Sequence, residues 1–181
     1  MSELDDAWAF ALAEAENRAR VSGRADIGEY IALRNSNDRK RKFGADWLIK
    51  SFLATAGEVN RAGASLQTSS TDGHRFKVGS ATMVGRLLTV TSGIRSIKVE
   101  VGWPRTPSDG FVRGGGLACA NIQHFGMKAA SEHLRLEVDR KGLPHWQRYS
   151  DHGERGEFHE ADIKHHLSVL LTDSRNPPKR R

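Results

Sequence analysis

Arg95-Ser96-Ile97-Lys98-Val99-Glu100-Val101 is the stretch that decides the fold. Polar and branched apolar residues alternate through it, the period-2 pattern of a strand with one wet face and one packed face. The same beat returns in His74-Arg75-Phe76-Lys77-Val78 and in His133-Leu134-Arg135-Leu136-Glu137-Val138-Asp139. Further strands are expected at 65–70, 86–91, 117–125 and 144–149, with a hairpin turn at Lys141-Gly142. On this reading Phe76, Val78, Ile97, Val99, Val101, Leu134, Leu136 and Val138 face a layer of helices. Arg75, Lys77, Ser96, Lys98 and Arg135 face the other way, beside Glu100, Glu137 and Asp139.

Outward from these strands the period becomes helical. A first helix is expected from Ser2 until Ser22-Gly23 ends it. A short second one follows Asp26 and breaks at Asn35-Ser36-Asn37-Asp38, whose side chains compete for backbone hydrogen bonds. The third runs from about Asp38 to Arg61, with Ala45, Leu48, Ile49, Phe52, Ala56 and Val59 on one face. Phe43 and Trp47 fall on nearly the opposite face, which suits a second covering layer or a docking patch. A closing helix from Glu157 to about Asp173 turns Ile163, Leu167, Leu170 and Leu171 inward. The expected class is α+β: an antiparallel sheet of about 6–7 strands packed on one face by N-terminal helices and a C-terminal helix. A single domain is expected over 1–173, with a helical segment 1–63, a sheet 64–150 and a closing helix 157–173. A basic disordered tail follows at 174–181.

Composition narrows the function classes. The 181 residues are 38% hydrophobic and 28% charged, too apolar for a disordered chain. No run of about 18 apolar residues offers a membrane span. The opening Met1-Ser2-Glu3-Leu4-Asp5-Asp6 lacks the layout of a secretory signal, and one cysteine, Cys119, suits a reducing cytoplasm. Residues 1–63 carry ten basic and ten acidic side chains, 64–150 twelve and six, and 151–181 six and six. The whole net charge of +6 therefore falls in the strand-rich middle. Such an excess serves solubility, or it makes a face for a polyanion such as nucleic acid.

Motifs with a defined mechanism are missing: no Gly-x-x-x-x-Gly-Lys loop, no Gly-x-Ser-x-Gly elbow, no His-Glu-x-x-His and no cysteine pair for zinc. No cofactor is expected. His159, Asp162 and His166 share a helical stripe, but two turns put the outer pair about 10 Å apart, so a polar helix flank is expected rather than a metal site. Cys119, within Leu117-Ala118-Cys119-Ala120, reads as a buried strand residue rather than a nucleophile.

The segment from Gly102 to Gly116 is the ligand candidate. Its prolines stiffen it, Gly114 and Gly115 permit an anion-binding turn, Arg105 and Arg113 offer bidentate clamps, and Trp103 and Phe111 offer stacking faces. Arg75, Lys77 and Lys98 extend this basic surface onto the sheet. The leading expectation is a non-catalytic cytoplasmic binding module for an anionic partner, with nucleic acid as the example and no membrane role. One alternative is an assembly or protein-interaction subunit, including a homo-oligomer, held through Phe43 and Trp47. The other is a small-molecule enzyme with an arginine clamp and His124, His133 or His145 as acid/base.

Overall fold

In the computed structural model the described residues are 3–23, 25–149 and 155–172. They form an α+β structure of three helices and one seven-stranded antiparallel sheet. The expected tail at 174–181 lies outside the described residues. The chain divides into two compact units, Met1–Lys40 and Arg41–Arg181.

The first unit holds α1 (Glu3–Val21) and the opening part of α2 (Ala25–Arg61). Gly23, at φ 71°, makes the turn after α1, in a left-handed conformation that glycine adopts without a Cβ penalty. The break expected at Asn35–Asp38 does not occur: α2 passes through it as one helix of 37 residues. Asn, Ser and Asp each cost only about 0.5 kcal/mol in a helix interior, too little to forfeit the intrahelical hydrogen bonds on either side.

The second unit is an up-and-down sheet in which every strand pairs with its neighbours in sequence. Its strands are β1 (Gln67–Val78), β2 (Ala81–Ser92), β3 (Arg95–Trp103), β4 (Ala118–His124), β5 (Glu132–Val138), β6 (Pro144–Tyr149) and β7 (Arg155–Glu157). The expected strands at 65–70 and 74–78 are one strand. Gly73, at φ 70°, lies where the register shifts between Asp72 and His74, so the chain bulges and the strand continues. Two-residue turns led by Gly79 and Gly93, at φ 59° and 58°, close the first two hairpins. β7 escaped the sequence reading because three residues are too few for a period to register.

Register assigns the faces. Leu88, Val90, Ile97, Val99, Val101, Ala118, Ala120, Ile122, Leu134, Leu136 and Trp146 form one apolar cluster with Ala45, Leu48, Ile49, Phe52 and Ala56 of α2. Ile163, Leu167 and Leu170 of α3 (Glu160–Leu171) complete it. Phe76 pairs with Met83 and joins Ala81, Val112 and Cys119 in a second cluster on the opposite face. That corrects the expected facing: Phe76 and Val78 do not look toward the helices. Arg75, opposite Val84, and Lys77, opposite Thr82, have the helix-side parity instead. A hairpin that is apolar on both faces does not reveal from its alternation which side meets the helices.

Three contacts fix α2 on the sheet. The indole Nε1 of Trp146 donates to the carbonyl of Gly44 at 3.0 Å, and Arg41 Nε donates to the carbonyl of Leu117 at 2.9 Å. At the far end, the Asn60 side chain donates to the Leu66 carbonyl at 2.9 Å and accepts from its N–H at 2.7 Å. Gly44 is needed because a Cβ there would stand 2.6 and 2.8 Å from the methyl carbons of Leu136, itself fully buried. Gly44→Val is expected to cost about 1–3 kcal/mol in chemical denaturation through overpacking. Combined with Leu136→Ala, it should cost less than the two single losses summed; strict additivity would show that the two residues do not press on each other.

Candidate functional site

The expected ligand segment, after Trp103, is tied down along its length. Asp109 is buried and accepts at Oδ2 from the N–H of Arg105 at 3.2 Å, the N–H of Thr106 at 3.0 Å and the Thr106 hydroxyl at 2.9 Å. Its Oδ1 accepts from Arg75 Nη2 at 2.7 Å. The Thr106 hydroxyl, against desolvation and with the two N–H groups and Arg75, holds the Asp109 carboxyl below the ordinary aspartate range. The Arg105 guanidinium lies 3.9 Å from the centre of the Trp103 ring, which is 6% exposed. Arg113 rests on Gly79. Gly114 and Gly115 do adopt left-handed conformations, but Gly114 sits directly against the Arg135 guanidinium, which donates to the Arg113 carbonyl at 3.3 Å. The turn thus presents a carbonyl to a cation of its own chain. Val112 plugs the second apolar cluster, while Phe111 is 76% exposed.

Nor do the basic residues of the strands make one cationic face. Arg75 pairs with Asp109, Arg86 with Asp46, Arg135 with Glu137, and Arg148 with Glu132 and Asp162. Lys77 and Lys98 are exposed but have opposite parity in the sheet, so they point to different sides. On the face turned from the helices a polar string crosses four strands. His74 Nε2 meets Glu100 Oε1 at 2.7 Å, Asn121 Nδ2 donates to Glu100 Oε2 at 3.2 Å, and His133 Nδ1 donates to Asn121 Oδ1 at 2.8 Å.

The three histidines proposed as acid/base are therefore in three settings. His133 ends this surface string, and His145 borders a groove described below. His124 is buried on the helix side, opposite Ile97, while Trp103 ends the same strand six residues on, about 20 Å away. They are not gathered around Arg105 and Arg113. Cys119 is buried, and burial pushes its thiol up to about 11, away from the thiolate form that nucleophilic attack needs. The side chains of His159, Asp162 and His166 do not turn to one point. Asp162 accepts from the His159 N–H at 2.7 Å and pairs with Arg148, His159 faces Glu157 at 3.4 Å, and His166 meets His124. Among the described residues no three His, Cys, Asp or Glu side chains converge as metal ligands.

Two features remain. The first is an aromatic ridge on α2. Phe43 is 63% exposed and Trp47 half-buried, on the side of the helix opposite Phe52. A groove of about 270 Å³ lies on one flank, lined by both, by Leu136, Pro144, Trp146 and Phe158, and at its rim by His145, Glu157 and His159. A second, more open hollow of about 420 Å³ on the other flank is bordered by the same two aromatics and by Asp46, Lys50, Ser51 and Ala54. The second feature is a buried pair: His124 Nε2 and His166 Nδ1 are 2.9 Å apart, and His166 Nε2 faces Glu132 Oε2 at 3.6 Å, beyond a full hydrogen bond. Burial, then the neighbouring His166, push His124 down to about 4. Desolvation acts to raise Glu132, but attraction to His166 and Arg148 prevails and holds its carboxyl below the ordinary range.

The ridge is legible in the sequence through the helical angles of Phe43 and Trp47. The His124–His166 pair is not, because 42 residues separate its members and no local spacing joins them. Comparison with protein-family models, with curated proteins and with solved structures finds no match.

Asp109→Ala is expected to free the segment 104–117 without unfolding the sheet. Limited proteolysis should then cut within that segment while the far-ultraviolet spectrum stays unchanged. Equal resistance in the wild type and the variant would show that Asp109 does not anchor it.

Proposed function

We propose that this protein is a non-catalytic protein-interaction module that captures an acidic segment of a partner through one apolar anchor seated beside Phe43 and Trp47. The observation that carries the reading is the 63% exposure of Phe43 on a helix whose opposite face is fully committed to the core. A buried large aromatic is worth about 1.5–3 kcal/mol, so an uncovered one beside a half-buried tryptophan is a standing source of docking energy. The groove's volume, about 270 Å³, falls just under the range of about 300–1,000 Å³ usual for small-molecule sites. That supports a single anchoring side chain over a whole metabolite.

Charge favours an acidic partner. Lys42 stands exposed next to Phe43 in the chain, and on the ridge's own stripe Asp46 is shared between Lys50, at 3.9 Å, and Arg86, two cations for one acid. An anionic partner was also the expectation from composition, but its support moves from the sheet to the helix. No helix among the described residues is long and apolar enough to cross a membrane. The buried, unpaired Cys119 suits a reducing compartment such as the cytoplasm.

The test is titration of the protein with an amphipathic Glu/Leu peptide and with its Lys/Leu counterpart, followed by tryptophan fluorescence. The Glu/Leu peptide should bind with Kd of about micromolar order, more weakly as salt rises, and Phe43→Ser should lower its affinity about tenfold or more. Equal binding of both peptides, or indifference to Phe43→Ser, would contradict the reading. A dimer that Phe43→Ser dissociates, with neither peptide binding, would assign the ridge to a second copy of the chain and overturn it too.

A further inference from the structure

We propose that Glu132, His166 and His124 form an acid-released latch, which clamps α3 to the end of the sheet while the two imidazoles share one hydrogen and lets it go when both are protonated. The regulation concerns the groove, and so this inference rests on the docking reading. Phe158, just before α3, is a wall of that groove on one side and lies against His166, with ring centres 6.0 Å apart, on the other.

The geometry allows one hydrogen between the rings. With His166 Nε2 turned to the Glu132 carboxylate, that nitrogen carries a proton, so neutral His166 accepts at Nδ1 from His124 Nε2–H. One added proton can be held beside Glu132. Two leave a pair of donors facing each other across 2.9 Å, with no acceptor between them and like charges in a buried site.

The surroundings cannot absorb the second charge. From β5 the facing group is Glu132, and from β6 it is Arg148, which is shared between Glu132 and Asp162 of α3. From α3 itself comes a further imidazole, His165, with its ring centre 6.3 Å from that of His166. The neighbour from α2 is Phe52, which does not titrate. One carboxylate, already engaged by an arginine, thus stands against two imidazoles.

The sign follows from linkage. His124 takes a proton near 6.5 when released into water but only near 4 when held, so the closed form is favoured above pH 6.5 and loses ground as pH falls toward 4. Release of α3 should grow about tenfold per pH unit across that window.

The test is amide hydrogen exchange on the full chain at pH 7, 6 and 5, with peptide titration alongside. Protection factors of α3 amides should fall about tenfold between pH 6 and 5, while those of β3 and β4 hold. In His124→Gln the carboxamide Nε2 can still donate to His166 but takes up no proton, so the fall should vanish, and at pH 5 the variant should bind the Glu/Leu peptide more tightly than the wild type. A flat wild-type profile, an unchanged slope in the variant, equal pH 5 affinities, or loss of protection in β3 and β4 together with α3 would each overturn the latch. If His124→Gln fails to fold, proton resonances of His124 in the wild type decide: a midpoint near 6.5 overturns the proposal, and one well below it supports it. Absent peptide binding at pH 7 sinks the docking reading alone, and a flat α3 profile with intact binding sinks the latch alone.

Discussion

The close approach of Gly44 to Leu136, sealed by the Trp146 indole on the Gly44 carbonyl, sets where α2 lies on the sheet. A seven-stranded antiparallel sheet with one apolar face must have that face covered, and α2 from Arg41 onward does most of the covering with α3. Once Ala45, Leu48, Ile49, Phe52 and Ala56 are committed inward, helical geometry leaves Phe43 and Trp47 on the far side. The glycine that lets the helix sit close also brings Phe43 and Trp47 within reach of Leu136, Pro144 and Trp146, and the space left between them is the groove.

The strands carry a different message from their charge count. Twelve basic residues against six acidic ones in 64–150 suggested a cationic platform. Four of those twelve, Arg75, Arg86, Arg135 and Arg148, instead meet carboxylates of the same or a neighbouring strand, of the connection after β3, or of the helices. Two of these partners, Asp46 and Asp162, belong to the helices, so part of the positive charge of the strands ties the layers together. Such pairs add little each when exposed, but they leave fewer cations for an outside partner.

Most of the fold was legible because period is a local property. The alternation in 95–101 and 133–139 gave two strands within a few residues, and the apolar stripe of 45–59 gave the core-facing part and the C-terminal end of α2. What failed was either weak or non-local. The Asn35–Asp38 cluster looked like a break but had only small propensities against a long helix. Phe76 was given the wrong face because β1 and β2 are apolar on both sides at that end. For the site, the helical angles of Phe43 and Trp47 were readable and their groove was not, since its other walls, Leu136, Pro144, Trp146 and Phe158, come from residues about a hundred positions away. The glycines at 114 and 115 have the left-handed conformations expected of an anion-binding turn, yet Gly114 lies against the Arg135 guanidinium.

Backbone chemical-shift mapping of the labelled protein during titration with the Glu/Leu peptide tests the central claim most directly. The account predicts perturbations concentrated at Phe43, Trp47 and Lys50, at Pro144 to Trp146, and at Glu157 to His159. Shifts gathered instead on Lys98, Gln123 and His133, or on Phe111 and Arg113, would place the binding surface on the sheet or its long connection and contradict it.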